Sequence, residues 1–304
     1  MTMRDAFFFR LFEHAKKDPN IIVLTSDFSA PSFDRFRTEL PSRFINTGIS
    51  EQNTILVAAG LACSGKNVFV TSIAPFITMR CFEQIRLYAA DMNLSIKIVA
   101  VGAGFSYNTA GPTHHSIEDV ALMRTLPNMQ ILMPSCNSQV KAFADYASAM
   151  TGPAYVRLDR MPLDELYDGQ FDVDGKGFRL LKQSDDIMII SNGYMVHTAL
   201  KAADNAAGVI DLYKLPVDKE ALQQILGNTK QIITLEEHVY AGGIGAYICE
   251  LLMDNNCYVP IKRLALDVSS GFYHRYGTRD EMHEKCGIGT KQVLESVKEY
   301  INRG

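Results

Sequence analysis

Phe44 to Lys66 reads FINTGISEQNTILVAAGLACSGK, and the division of this stretch decides the fold. Phe44 and Ile45 begin a short apolar, strand-like run, Gly48 breaks it, and the residues after Glu51 form a nearly uncharged helical pattern. One carboxylate, Glu51, stands at the junction. Ser50 is a suitable N-cap, and an acid in the first helical turn gains about a few tenths of a kcal/mol from the helix dipole. Capping is therefore the plain reading of Glu51. The turns that follow, ILVAAGLAC, are small and apolar and predict a helix buried on most sides. A carboxylate desolvated at such a junction suits proton exchange with a ligand nitrogen.

Outward from this stretch, the runs NIIVLTSD, NVFVTS, IKIVAVGAG, MQILMPS and AYVRLDR alternate with helical patterns such as AFFFRLFEHAKK, CFEQIRLYAADM and NSQVKAFADYASAM. Continuous apolar runs alternating with helices predict a parallel α/β sheet covered on both faces, with ligands at the carboxyl ends of its strands. The segment MPLDELYDGQFDVDGKGFRLLKQSDD interrupts the rhythm, and we place the domain boundary there. The first domain is expected over 1–165, a linker over 166–184 and a second domain over 185–304. In the second, IMIISNG, GVIDLYKLP, QIITLEEH and IKRLALDVSS read as strands and VHTALKAADN, KEALQQILGN and AYICELLMDN as helices. Val293, Leu294, Val297 and Ile301 form one helical stripe near the end. The expected class is α/β, with two doubly wound domains.

The 304 residues are 47% hydrophobic and 21% charged, ordinary for a globular chain and enough for two cores of roughly 100–200 residues. The net charge is −4, and no Lys/Arg block could track a phosphate backbone, so nucleic acid is not an expected partner. No apolar run has the length of a membrane span, and the start lacks a signal-peptide cleavage pattern; membrane association is not expected and a cytoplasmic location is. The six cysteines are scattered, with no C-x-x-C, which predicts free thiols in a reducing compartment and argues against a zinc site.

These residues carry a resemblance. FINTGISEQNTILVAAGLACSGKNVFVTSIAPF resembles the stretch around the cofactor glutamate of the transketolase family, and the likeness extends over nearly the whole chain. It implies a pyrimidine-binding domain of the thiamine diphosphate-binding fold followed by a transketolase C-terminal domain. In that family the glutamate hydrogen-bonds the aminopyrimidine of thiamine diphosphate and promotes the tautomer that takes the thiazolium proton; Glu51 would hold that role. FITMRCFEQIR is similar to the family's next segment, which implies Phe76 as the stacking ring, with Ile77 as the alternative, and Arg80 as a cofactor-side contact. NTAGPTHHSIEDVALMRTLPNM resembles the loop whose histidine touches donor oxygens, which implies His114 in that role and His115 beside it in place of a usual glutamine. GPAYVRLDR implies Arg160 as an anion contact, with Arg157 as the alternative. Arg4, and Ser29 or Ser32, fall where the family has further substrate contacts, and Asp27 falls on the cofactor side. Gly242, Gly243 and Gly245 precede a helix and could cradle a phosphate, although within this family that domain packs rather than binds.

The departures from the family matter as much. No Gly-Asp-Gly motif for Mg²⁺ and the diphosphate is present; YDGQFDVDG lacks the preceding strand. The resemblance therefore implies one subunit of a split enzyme, an α2β2 heterotetramer whose separately encoded N-terminal-half subunit carries Gly-Asp-Gly and holds most of the metal and diphosphate. Ala110 replaces an aspartate that reads a donor hydroxyl, a loss worth about 1–3 kcal/mol if that hydroxyl is left unpaired. Gly102 stands where the family often has a phosphate-contacting histidine. Ala110 points to a deoxy or otherwise modified sugar, and Gly102 argues against the usual pentose phosphate, although Arg160 keeps an anion contact available. The expected function is transfer of a two-carbon ketol unit from a ketose to an aldose. The alternatives are the β subunit of a 2-oxo acid dehydrogenase and a non-catalytic regulatory subunit of the same fold.

Overall fold

The structure, a computed structural model, describes residues 1–27, 29–168, 171–173, 175–274 and 276–302. Within the expected linker, Gly169, Gln170 and Asp174 thus lie outside the described residues, as do the last two residues of the chain. Strands β1 (Ile21–Thr25), β2 (Phe44–Asn46), β3 (Asn67–Ile73), β4 (Ile96–Val101), β5 (Gln130–Leu132) and β6 (Ala154–Leu158) form a parallel sheet in the order β5-β6-β4-β3-β1-β2. β1, β4 and β6 are buried along their whole length, which is why they read as unbroken apolar runs without alternation.

The second sheet is built from β7 (Arg179–Lys182), β8 (Ile187–Ser191) and β9 (Gly208–Asp211), then, after a short strand β10 (Lys214–Leu215), from β11 (Gln231–Val239) and β12 (Ile261–Leu266). Its order is β12-β11-β8-β9-β7, parallel except for β7, which runs antiparallel to β9. Two features depart from the sequence reading. β7 lies inside the segment read as a boundary; it is a half-buried edge strand with no buried face to announce it. GVIDLYKLP is not one strand but two: β9 belongs to the second sheet, whereas β10 returns to pair antiparallel with β5 of the first. Between them Tyr213 is fully buried, 5.1 Å from Phe171 and 5.9 Å from Phe143 by ring centroids, so the handover is anchored by aromatic packing.

The helix Met3–Ala15 directs Phe7, Phe8, Leu11 and Phe12 inward. Helix Pro31–Glu39, not foreseen in the sequence, supplies Phe33 and Phe36, and the pairs Phe8–Phe33 and Phe12–Phe36 meet edge to face at 4.9 and 5.1 Å. In the last helix, Thr290–Ile301, Val293 and Val297 are buried and Leu294 partly so; Ile301 is exposed, so the stripe ends one turn early.

Helix Glu51–Cys63 also differs from expectation. It buries one face, Thr54, Ile55, Ala58, Ala59 and Ala62, and leaves Gln52, Asn53, Leu56 and Gly60 exposed. Its small residues serve close approach to the sheet on that face only. Ser50 makes no side-chain cap, because its hydroxyl donates to the Thr47 carbonyl at 2.9 Å.

Candidate active site

The carboxyl ends of β1, β2 and β3 place the first group of residues together. Gly48, at φ +73°, makes the left-handed turn that carries the chain from β2 into the Glu51 helix. The helix start is tied to the sheet by hydroxyls, Thr47 Oγ1 to Thr54 Oγ1 at 2.6 Å and Ser26 Oγ to Thr54 Oγ1 at 2.9 Å. Asn46 accepts from the backbone N–H groups of both Asp27 and Gly48 at 3.0 Å, which holds exposed Asp27 in its left-handed conformation, φ 52°, at the edge of the site. Asn46 was not singled out in the sequence.

Glu51 is 4% exposed, and Arg80 Nη1 donates to its Oε2 at 2.8 Å. Arg80 also stands 4.5 Å over the Phe76 ring. β3 gives way to a one-turn helix, Ala74–Ile77, with Pro75 in its first turn. This turn leaves Phe76 half-buried at the site and sends Ile77 wholly into the core. Phe76 is thus the ring available for stacking.

His114 joins this group, its ring 5.0 Å from Phe76 and 5.7 Å from Tyr107. Burial pushes its imidazolium below the usual histidine range, which favours the neutral ring that exchanges hydrogen bonds with hydroxyl or carbonyl oxygens. His115 does not join it. That side chain is 3% exposed, packs edge-on to Phe105 at 4.8 Å, and its Nε2 has no partner among the described residues.

The two arginines proposed for anion binding separate clearly. Arg157 is buried, donates to Asp119 Oδ2 at 2.7 Å and reaches the carbonyls of Ser116 at 3.0 Å and Glu237 at 3.3 Å, so it holds the interior together. Arg160 is exposed, with its guanidinium 5.0 Å over Tyr107. Arg4 donates to the Ser29 carbonyl at 3.1 Å. Ser29 is exposed, but Ser32 is fully buried and its hydroxyl donates to Asp5 Oδ1 at 2.8 Å, which commits it to the core beneath. A serine-rich turn does not reveal which hydroxyl an upstream aspartate has taken.

The glycines of the second half are likewise spoken for. Glu236 accepts from the Ile244 and Gly245 N–H groups at 2.7 and 2.9 Å, so this helix start already holds the chain's own carboxylate in place of a phosphate. Burial pushes the Glu236 carboxyl up to about 7.

A buried charge cluster ties the halves together at the end of β6. Arg279 donates to Glu237 at 2.9 and 2.5 Å and to Asp159 at 2.5 Å, and His283 meets the same Glu237 carboxylate. Burial works to raise the Glu237 carboxyl, but Arg279 and His283 outweigh it and hold it well below the usual range. Among the described residues no group of three or more His, Cys, Asp or Glu side chains could hold a metal ion, and no helix is long and apolar enough to cross a membrane.

Known proteins resemble this arrangement over its full length. Residues 1–164 match the family described as transketolase, pyrimidine binding domain, and residues 176–299 match transketolase, C-terminal domain. The 6-deoxy-6-sulfo-D-fructose transketolase subunit of Clostridium sp. (strain MSTE9) is 34% identical over 99% of this chain and 95% of its own length. An apulose-4-phosphate transketolase subunit of Phocaeicola vulgatus is 33% identical over 100% of this chain and 98% of its own. A solved structure described as a split gene transketolase, inactive β4 tetramer, matches with a TM-score of 0.86 and 32% identity, covering 99% of this chain and 98% of that one.

Proposed function

This chain belongs to the transketolase family, and we propose that it is the pyrimidine-binding subunit of a split transketolase, moving a two-carbon ketol unit from a ketose donor to an aldose acceptor. The observation that carries this reading is the Glu51 carboxylate. It is buried at a helix start, has Arg80 as its hydrogen-bond partner among the described residues, and lies beside the half-buried Phe76 ring that Arg80 also covers. A carboxylate acceptor next to an aromatic ring fits the aminopyrimidine of thiamine diphosphate. Thiamine diphosphate supplies, when bound, the carbon nucleophile needed to break and make the carbon–carbon bond. Glu51 would hold the proton exchange at a ring nitrogen, Phe76 would stack, His114 would hydrogen-bond donor oxygens, and Arg160 would hold an anionic end.

A separate polypeptide with Gly-Asp-Gly would hold the diphosphate and Mg²⁺, in an α2β2 assembly. Two observations support a second chain here: Ile49 is 78% exposed and Leu56 is 43% exposed, both apolar and both flanking Glu51. The six unpaired thiols support a reducing, cytoplasmic setting. The names of the relatives, one a sulfo-deoxy sugar transketolase subunit and one a sugar-phosphate transketolase subunit, support a modified ketose with an anionic group; Ala110 is in keeping with the modified sugar and the exposed Arg160 with the anion. They favour a transketolase over the 2-oxo acid dehydrogenase and regulatory alternatives.

The test is reconstitution with the diphosphate-binding subunit, thiamine diphosphate and Mg²⁺ across a panel of ketose donors. We expect ketol transfer by the mixture and saturable cofactor binding only when both chains are present. Equal cofactor affinity in the isolated chain would overturn the split-site reading.

A further inference from the structure

We infer that Tyr107 is a specificity-determining residue of this site: seated over Gly102 and under Arg160, it forms a platform for the tetrahedral oxyanion at the end of the ketose, a phosphate or a sulfonate. This rests on the transketolase reading above and deepens it by assigning a residue that neither the motifs nor the relatives single out.

Gly102 adopts φ +108°, and a Cβ there would fall 2.4 Å from Tyr107 Cε2 and 2.5 Å from Cδ2. Contacts that short do not occur between real atoms, so the absence of a side chain at 102 is what admits the ring. The glycine and the tyrosine form one unit, and the space left by the first is filled by the second. Filled in this way, the ring lies between two groups of the candidate site, 5.7 Å from the His114 ring and 5.0 Å from the Arg160 guanidinium carbon. A planar guanidinium on an aromatic face loses little freedom when it binds and presents its N–H edge to an acceptor.

The loop and the strand end are locked in register. Ser106 Oγ accepts from the Arg160 backbone N–H at 2.8 Å and donates to Asp159 Oδ1 at 2.7 Å, so Tyr107 and Arg160 move together. The nearby carboxylate of Asp159 is taken up by Ser106 and Arg279. Burial raises the Tyr107 phenol above its ordinary value, and the charges of Arg160 and Arg4 oppose that rise. A neutral O–H on the ring that carries the Arg160 guanidinium is a donor pair for an oxyanion, and it discriminates against an uncharged sugar end.

Tyr107→Phe, Tyr107→Ala and Gly102→Ala, each combined with the diphosphate-binding subunit, test this. Donors are a phosphorylated, a sulfonated and an uncharged ketose, and the full chain alone is titrated with inorganic phosphate and with methanesulfonate by NMR. Losing a hydrogen bond to a charged group costs about a factor of ten or more, so Tyr107→Phe is expected to raise KM for a charged donor roughly tenfold. Tyr107→Ala and Gly102→Ala are expected to do so more strongly. In all three, the rise in KM is expected to be larger for the charged donors than for the uncharged ketose and larger than any fall in kcat; Gly102→Ala also places a side chain at φ +108°, so its fold is checked by a thermal melt and Tyr107→Phe decides where it fails. The arm that responds, phosphate, sulfonate or both, identifies the oxyanion. A parallel KM rise for the uncharged ketose, a loss confined to kcat, or no response in either charged arm overturns the inference. If Tyr107→Ala does not fold, Tyr107→Phe decides. If the wild-type mixture transfers no ketol unit while phosphate or methanesulfonate binding still depends on Tyr107, the transketolase reading fails and the oxyanion corner stands.

Discussion

Arg80 donates to the Glu51 carboxylate at 2.8 Å from 29 residues further along the chain. Because the same guanidinium covers Phe76 at 4.5 Å, one side chain orients both groups proposed to meet the aminopyrimidine. Glu51→Gln keeps the shape and removes the charge; ketol transfer by the two-chain enzyme is expected to fall about 10²–10⁴-fold, the range for losing a positioned acid–base group. Arg80→Met is expected to weaken cofactor binding and to cost about 1–3 kcal/mol of stability, since it leaves the buried Glu51 carboxylate without its 2.8 Å donor. Turnover and urea melts on both variants separate the two effects; a Glu51→Gln enzyme with full turnover would remove the proposed role.

Arg157 and Arg160, three residues apart, predict opposite phenotypes. Arg157→Met leaves Asp119, which is fully buried, without its 2.7 Å partner, and breaking a buried pair costs about 3–5 kcal/mol. Arg160→Met removes an exposed cation and is expected to leave the urea midpoint in place while raising KM for an anionic ketose. Denaturation curves and donor KM values on both variants check this, and a reversed pattern would exchange their roles.

This pair also shows how far the sequence could be read. Strands β1, β4 and β6 were legible because strands buried on both faces leave continuous apolar runs. The handover from β9 to β10 was not, since one apolar run served two sheets and only the burial of Tyr213 between them marks the break. Phe76 and Ile77 are equivalent on paper, and the turn at Pro75 decides which one faces the core. Arg157 and Arg160 both lie in GPAYVRLDR, yet strand burial takes the first and the strand end exposes the second. Ser32 is withdrawn by Asp5, a contact spanning 27 residues, and Arg279 reaches Asp159 across 120. Such long-range pairings leave no local pattern, whereas Tyr107 did leave a trace, an aromatic inside the glycine-rich VGAGFSYNTAG.

Arg279 offers a test of the joint between the halves. It is the shared cation of Asp159 and Glu237, and truncating it leaves Asp159 with only the Ser106 hydroxyl and the Met161 N–H and Glu237 with only His283. Arg279→Met is expected to cost about 3–5 kcal/mol. Because Asp159 adjoins Arg160, proteolysis and hydrogen exchange should increase around residues 103–107 and 159–160. Exchange unchanged there would confine the role of Arg279 to the second domain.

Glu236 predicts a pH dependence whose sign is fixed by its burial. Desolvation raises its carboxyl from the ordinary 4.5 to about 7, against the lowering effect of the Gly245 and Ile244 N–H groups and of Arg263 and Arg157. Between those two values the native chain binds more protons at this site than the unfolded chain does, so stability falls as pH rises. The contribution is complete below the unfolded value and is lost as pH passes the folded one. His238, pushed down to about 4 by burial, acts in the opposite direction, stability rising with pH up to its ordinary 6.5. The raw profile of the protein therefore mixes both effects. The difference between wild type and Glu236→Gln isolates one, because glutamine does not titrate and His238 is common to both. Urea melts at intervals from mildly acidic to mildly alkaline pH are expected to show that difference moving against the wild type by on the order of 2–3 kcal/mol. A flat difference would mean that Glu236 is ionised throughout, its charge carried by the two N–H groups of the helix start.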